Sequence, residues 1–378
     1  MAFETYDQVR GYANVIRNVT QDKAMPPPFA IPEAGRVRED LSLTPEEMST
    51  IAAWANAKAP PGNPGDVTTS PEVAQNIARS DMILKLPAPI AIHSVDHRDH
   101  TYEILPTHFK EDHWVQMAEF LSDQPKNVRQ AVVFVRSPSS TWLRHAPVGV
   151  PFGAITLTHE EENDPTGVDI LVVYAAGSPP AKWPASMAKL IPAGADLVFR
   201  LQYAETDKSG ADQSGIGLIF RKQRPSQRVI TLQLTKDHLI IPSGVSDYRV
   251  EAGGTLTTDA VLIGFFPDMH RLGKRFQYDL IHATGNRKNE RSSEDEVLLR
   301  VTFDLRWQTS YTLMQPQVLK AGTRLQAVAW YDNSANNLRN ATPGVSVYLG
   351  DKYGDEASAG FFDIAIPAGL SKHLRFIH

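Results

Sequence analysis

Arg275-Phe-Gln-Tyr-Asp-Leu-Ile-His282 partly alternates polar and apolar side chains, the two-residue period of a β-strand with one face on a core and the other on water. Working outward, the runs Tyr248 to Ala252, Ala260 to Phe266, Val297 to Leu305 and Leu325 to Trp330 are similarly short and β-prone. An upstream group comprises Ala131 to Val135, Val168 to Ala175, Asp196 to Tyr203, Ile216 to Arg221 and Val229 to Leu234, with Ile240-Ile-Pro-Ser-Gly244 as the crossing point between the two groups. Pro, Gly, Asn and Asp separate the runs, and no amphipathic helix intervenes. That spacing favours an antiparallel sandwich or jelly roll over a parallel α/β sheet. The expected fold class is mainly β, with one sandwich over 83–238 and a second over 239–378.

The first 66 residues read differently. Tyr6, Val9, Ala13, Ile16 and Val19 recur at helical spacing, which gives an amphipathic helix needing a partner surface. Thr44-Pro-Glu-Glu47 opens another helix as a capping box, with Thr44 as N-cap and Glu47 reaching back, and Met48, Ile51 and Ala55 form its apolar face. Beyond this helix the chain becomes rich in Pro and Gly from Ala57 to Pro71, the composition of a connection. The linker is placed at 67–82.

Of the 378 residues, 42% are hydrophobic and 21% charged, ordinary usage for a compact chain with sizeable cores. A net charge of −5 with scattered basic residues argues against a nucleic-acid partner. Cysteine is absent, which removes disulfides, thiolate metal sites and cysteine nucleophiles together. No secretory signal and no apolar run of bilayer-spanning length is visible, so the expectation is a cytoplasmic protein with no membrane partner.

Four stretches carry a resemblance. Phe266-Pro-Asp-Met-His-Arg-Leu-Gly-Lys-Arg-Phe276, Val128-Arg-Gln-Ala-Val-Val-Phe-Val135, Leu197-Val-Phe-Arg-Leu-Gln-Tyr203 and Leu349-Gly-Asp-Lys-Tyr-Gly-Asp-Glu-Ala-Ser-Ala-Gly-Phe-Phe-Asp363 resemble the copper-binding segments of the copper type II, ascorbate-dependent monooxygenases, the peptidylglycine hydroxylating and dopamine β-monooxygenase superfamily. Met187-Ala-Lys-Leu-Ile-Pro-Ala-Gly194 and Trp330-Tyr-Asp-Asn-Ser-Ala-Asn336 match its surrounding framework. The resemblance implies two tandem jelly-roll β-sandwiches facing each other across a cleft, preceded here by a remnant of a cytochrome c domain that lacks the haem-attaching Cys-x-x-Cys-His. It also implies a degenerate member. Where the family has copper ligands this chain has Arg129, Gln130, Gln202, Asp268 and Ala357, and only His270 survives. A guanidinium offers no lone pair, and one imidazole does not hold copper, so no metal and no cofactor is expected.

The replacements are polar or ionisable, which suggests conversion of the cleft to metal-independent chemistry. The expected activity is cyclisation, isomerisation or dehydration of an apolar small molecule by proton transfer, in specialised metabolism. Asp268 and His270, at i and i+2 on one face of an extended segment, would form an acid–base pair in which the carboxylate fixes the tautomer and raises the imidazole pKa. Gln202 and Arg129 would polarise a carbonyl or hold an anion. Gln130, Tyr203, Phe266 and Trp330 would bind substrate. The alternative is a non-catalytic binding or scaffold protein, with homo-oligomers open in either case. A third reading rests on the five histidines from His93 to His113, His93, His97, His100, His108 and His113, with Asp96 or Asp99 joining them in a zinc or iron site.

Overall fold

The computed structural model describes residues 5–26, 37–38, 42–63, 80–92, 100–153, 168–204, 209–236, 239–281, 296–350 and 355–370. The chain is mainly β: two tandem jelly-roll sandwiches follow a small helical region. The linker assigned to 67–82 lies outside the described residues as far as 79.

One continuous sheet serves both sandwiches. Across it run Met82–Lys85, Gly215–Phe220, His113–Leu121, Met187–Ile191, Gln227–Thr235, Ser358–Pro367, Ala260–Met269 and Tyr311–Leu319. Its first half is covered by a five-stranded sheet ordered Phe152–Gly153, Thr101–Pro106, Asp196–Tyr203, Val128–Arg136 and Val168–Ala175. A four-stranded sheet of Tyr248–Thr255, Arg324–Tyr331, Gly273–Ile281 and Glu296–Thr302 covers the second half. Each pair of layers encloses its own core. Phe199, Phe120, Ile191 and Leu218 fill the first, and Phe276, Tyr278, Phe362 and Tyr331 fill the second.

Every run read as a strand in the sequence contains one, with Val297 to Leu305 ending as a strand at Thr302 and His282 outside the described residues, but the boundary between the two groups falls elsewhere. Gln227–Thr235 pairs in parallel with Met187–Ile191 on one side and antiparallel with Ser358–Pro367 on the other. Its Val229 enters the first core, while Ile230 and Leu234 enter the second. The seam therefore passes through this strand, because side chains that alternate faces can serve two cores at once. Ile240–Ile241, read as the crossing point, pairs with Val347–Tyr348 inside the second sandwich. The Gly273–Ile281 strand is also not half in water. Gln277 and Asp279 are each 1% exposed, and a hydrogen bond joining them, with Arg300 donating to Gln277, satisfies the buried polar pair.

The N-terminal periodicity resolves into two helices, Tyr6–Gly11 and Ala13–Gln21, interrupted at Tyr12. Pro45–Asn56 carries the expected box, with Thr44 Oγ1 accepting from the Glu47 amide and Glu47 accepting from Thr44. This helix packs on Ala13–Gln21 through Ala13, Ala55 and Ala59. Further on, Val37 bridges to Leu313 on the edge strand of the shared sheet.

Candidate functional site

The structure divides the residues expected to form one cleft among different surroundings. Strands Val168–Ala175, Ala260–Met269 and Ser358–Pro367 meet between the sandwiches through Ala175, Phe266, Ala359 and Phe361, with Ile170 and Val173 beside them. Phe266 therefore lies in a packed contact, its ring 6.4 Å from that of Phe361.

Around this contact sit the polar replacements. Gln130 and Gln202 are cross-strand neighbours on the five-stranded sheet. Asp268 and His270 are both buried at the end of their strand. His270 donates from Nδ1 to the Asp355 carbonyl at 2.9 Å, which fixes the tautomer and leaves the lone pair on Nε2. Burial, reinforced by the positive charge of Arg129, pushes its pKa down to about 4. That reverses the expected effect of Asp268. A backbone carbonyl holds the ring, and the charge it feels most is cationic. The carboxylate of Asp268 acts instead on the hydroxyls of Tyr278 and Tyr331. Glu356, which the sequence reading missed, accepts at its two oxygens from the His270 and Leu272 amides at 3.0 and 2.9 Å. Desolvation raises its pKa to about 8, against the opposing pull of these amides and Arg129.

Two of the residues assigned to substrate binding lie elsewhere. Trp330 faces out from the four-stranded sheet between Arg249 and Arg275, whose guanidinium carbons lie 5.9 and 4.5 Å from its ring, because the core position in that part of the strand belongs to the adjacent Tyr331. Tyr203 turns away from Gln202 to the first core and donates to Asp212 Oδ2 at 2.9 Å. Asp212 also accepts from Ser122, Ser214 and the amides of Asp123 and Gln124. Tyr203→Phe deletes one of these donors while leaving Asp212 satisfied, so a loss of about 1 kcal/mol in urea unfolding is the expected result.

The donor set does not fit copper. Arg129, Gln130, Gln202 and Ala357 supply no imidazole or sulfur donor, and the Nδ1 of His270 is committed to Asp355. Among the described residues no three His, Cys, Asp or Glu side chains converge on a common point. From the early histidine cluster, His93, His97, Asp96 and Asp99 lie outside the described residues. His108 is exposed and the His113 ring lies tilted between Phe109 and Phe220, with ring centroids 4.2 and 4.7 Å away, while His100 is buried just before its strand.

A cavity of about 1370 Å³ opens along the seam instead. Leu171, Val173 and Tyr174 form one wall, and Ile263, Phe266 and Phe361 form another. Within it lies a compact polar group from three neighbouring strands of the shared sheet and the segment beside them. Lys189, 4% exposed, donates to the Ile170 carbonyl at 2.8 Å and to Thr231 Oγ1. Thr231 is the cross-strand partner of Asp363 and donates to its Oδ1. Trp183 Nε1 donates to Asp363 Oδ2 at 3.1 Å, and Lys189 Nζ lies 3.6 Å from Oδ1 and 5.1 Å from the Trp183 ring. Desolvation pulls the Lys189 pKa down, with Asp363 and Asp169 opposing it. A carboxylate held at both oxygens, its side chain 26% exposed beside a buried ammonium, is suited to moving protons at the wall of this cavity.

No family model and no curated protein matches this sequence. Among solved structures, the chain is similar to the infectious bursal disease virus VP2 subviral particle, with 10% identity over 78% of this chain and 74% of that one and a TM-score of 0.21. It is similar to the infectious bursal disease virus Gx strain at 9% identity over 78% and 74%, TM-score 0.22. Similarity to the STIV MCP is 8% over 68% and 97%, TM-score 0.23. At these identities and TM-scores the likenesses carry no inference about activity or assembly.

Proposed function

We propose that the protein is a metal-independent enzyme on a monooxygenase-like scaffold, which holds an apolar small molecule between its sandwiches and cyclises, isomerises or dehydrates it by proton transfer. Asp363 is the proton-transfer group, and Lys189, Thr231 and Trp183 position it. The observation that carries this reading is the Lys189–Thr231–Asp363 group on the wall of a large, mainly apolar chamber. Such chambers bury most of a small ligand against apolar side chains while a few polar groups fix its orientation. Binding there converts an encounter into an oriented, effectively unimolecular reaction. Asp268, His270 and Arg129 contribute to the contact beside the chamber rather than to its walls.

The test is conversion profiling. The purified protein is incubated with a lipophilic cell extract, and products are sought at unchanged mass with altered retention, or at a mass lower by one water. Asp363→Asn keeps the side-chain shape but offers one acceptor oxygen where Thr231 and Trp183 use two, and it removes the base, so conversion should fall at least about a hundredfold. Undiminished conversion by this variant refutes the assignment. Ligand retention without any conversion by the wild-type chain favours a binding protein.

A further inference from the structure

We infer that Lys189 is a covalent nucleophile that captures an aldehyde or ketone as an iminium ion, so the ligand of the seam cavity is an apolar carbonyl compound. The inference rests on the proposed use of this cavity and names its substrate class.

Its geometric basis is a directional chain of hydrogen bonds. Lys189 Nζ donates to Thr231 Oγ1, and the same hydroxyl donates to Asp363 Oδ1. This is the arrangement needed to carry a proton from the ammonium to the carboxylate through one hydroxyl. Lys189 and Asp363 stand 3.6 Å apart, with the Thr231 hydroxyl hydrogen-bonded to both. The amine also has little freedom to be elsewhere. Its stem is on Met187–Ile191, every residue of which is buried, while the Ile170 carbonyl and the Trp183 ring fix the head. Lysines perform this chemistry when desolvation or a neighbouring cation favours the neutral amine. Both occur here, since burial depresses the Lys189 pKa and Arg228, itself paired with Asp169, adds to the depression.

The step balances without an added reagent. The Lys189 ammonium passes one proton through Thr231 to Asp363. The freed lone pair forms a C–N bond to the carbonyl carbon, and the N–H proton moves to the former carbonyl oxygen, giving a neutral carbinolamine. Asp363 then returns its proton to that hydroxyl. The C–O bond breaks, water leaves, and C=N forms as a cationic iminium. Its α-hydrogens are acidified, which gives Asp363 a proton to remove and leads to enamine-driven cyclisation, double-bond migration or loss of a β-hydroxyl. One covalent intermediate thus connects all three reaction types.

The experiment uses the full chain, trans-cinnamaldehyde and 2-decanone as probes, and sodium cyanoborohydride at neutral pH, with peptide mass spectrometry locating the reduced adduct. Desolvation favours the neutral amine at Lys189, so Lys189 should be alkylated faster than the exposed Lys182 and Lys320. Thr231→Val should reduce labelling at Lys189 by about tenfold while leaving Lys320 unaffected. Lys189→Arg retains a cation for Asp363 and should abolish the adduct, with its thermal melt reporting that the fold is kept. Alkylation of exposed lysines with Lys189 unmodified in the folded protein overturns the inference, as does equal labelling in Thr231→Val. If Lys189 remains unlabelled but Asp363→Asn still abolishes conversion of extract, the proton-transfer reading stands and covalent capture falls. If Lys189 is labelled but Asp363→Asn converts normally, the function assigned to Asp363 falls instead.

Discussion

Lys189→Ala should lower the free energy of unfolding by about 3 kcal/mol, read as a shift of the urea midpoint at constant slope. Removing one member of a buried pair leaves the other charge uncompensated, and losses of about 3–5 kcal/mol are typical. The lower end applies here because the Asp363 side chain is 26% exposed and retains its bonds from Thr231 and Trp183. The vacated space adds to the cost, since Lys189 sits among fully buried neighbours. Combining Lys189→Ala with Asp363→Asn should recover part of the loss, because no unpaired charge then remains. A double variant as unstable as the sum of the single variants would show that stem packing, not charge, supplies the stability. The comparison also separates structure from chemistry: Lys189→Arg keeps a cation near Asp363 and should recover much of the stability without recovering nucleophilic capture.

Much of the fold was legible because β-strands announce themselves by short apolar runs between turn residues. The capping box at Thr44 was equally direct, since its two bonds require only a fixed spacing. Register was not legible, and the misplaced site residues follow from that. Gln202 and Tyr203 are adjacent in sequence, yet one joins the polar face and the other the first core. Trp330 was assigned by its neighbourhood in a resembling segment, whereas the outward position beside Arg249 and Arg275 follows from strand pairing. Glu356 gave no signal, because its partners are backbone amides that every residue carries. The seam group did leave one. Lys189 is the lone charge in Met-Ala-Lys-Leu-Ile, and Asp363 the lone charge in Gly-Phe-Phe-Asp-Ile-Ala-Ile. A single ion inside an apolar strand must find its counterion in the fold, and these two found each other across the intervening strand Gln227–Thr235.

The second large effect concerns pH. Glu356 has a folded-state pKa raised from 4.5 to about 8, so between those values the native state holds a proton that the unfolded chain has released. Stability must therefore fall as pH rises through this window, at about 1.4 kcal/mol per unit. Integrated over the full shift, the contribution is about 3–5 kcal/mol. His270 works in the opposite sense. Its folded-state pKa is depressed from 6.5 to about 4, so the unfolded state binds the extra proton and stability is lost as pH falls from 6.5 toward 4, by about 3 kcal/mol in all. Between pH 4.5 and 6.5 the two slopes oppose and nearly cancel; between 6.5 and 8 the Glu356 slope acts alone of this pair. Subtracting the stability of Glu356→Gln from that of the wild type at each pH isolates the carboxyl, since any constant penalty from the amide has no slope. Urea unfolding from pH 4 to 8.5 should give a difference that declines steadily from pH 4.5 to 8, and the corresponding subtraction for His270→Gln should rise from pH 4 to 6.5. Parallel wild-type and Glu356→Gln profiles would mean that the His270 and Leu272 amides, together with Arg129, keep the carboxylate ionised despite its burial.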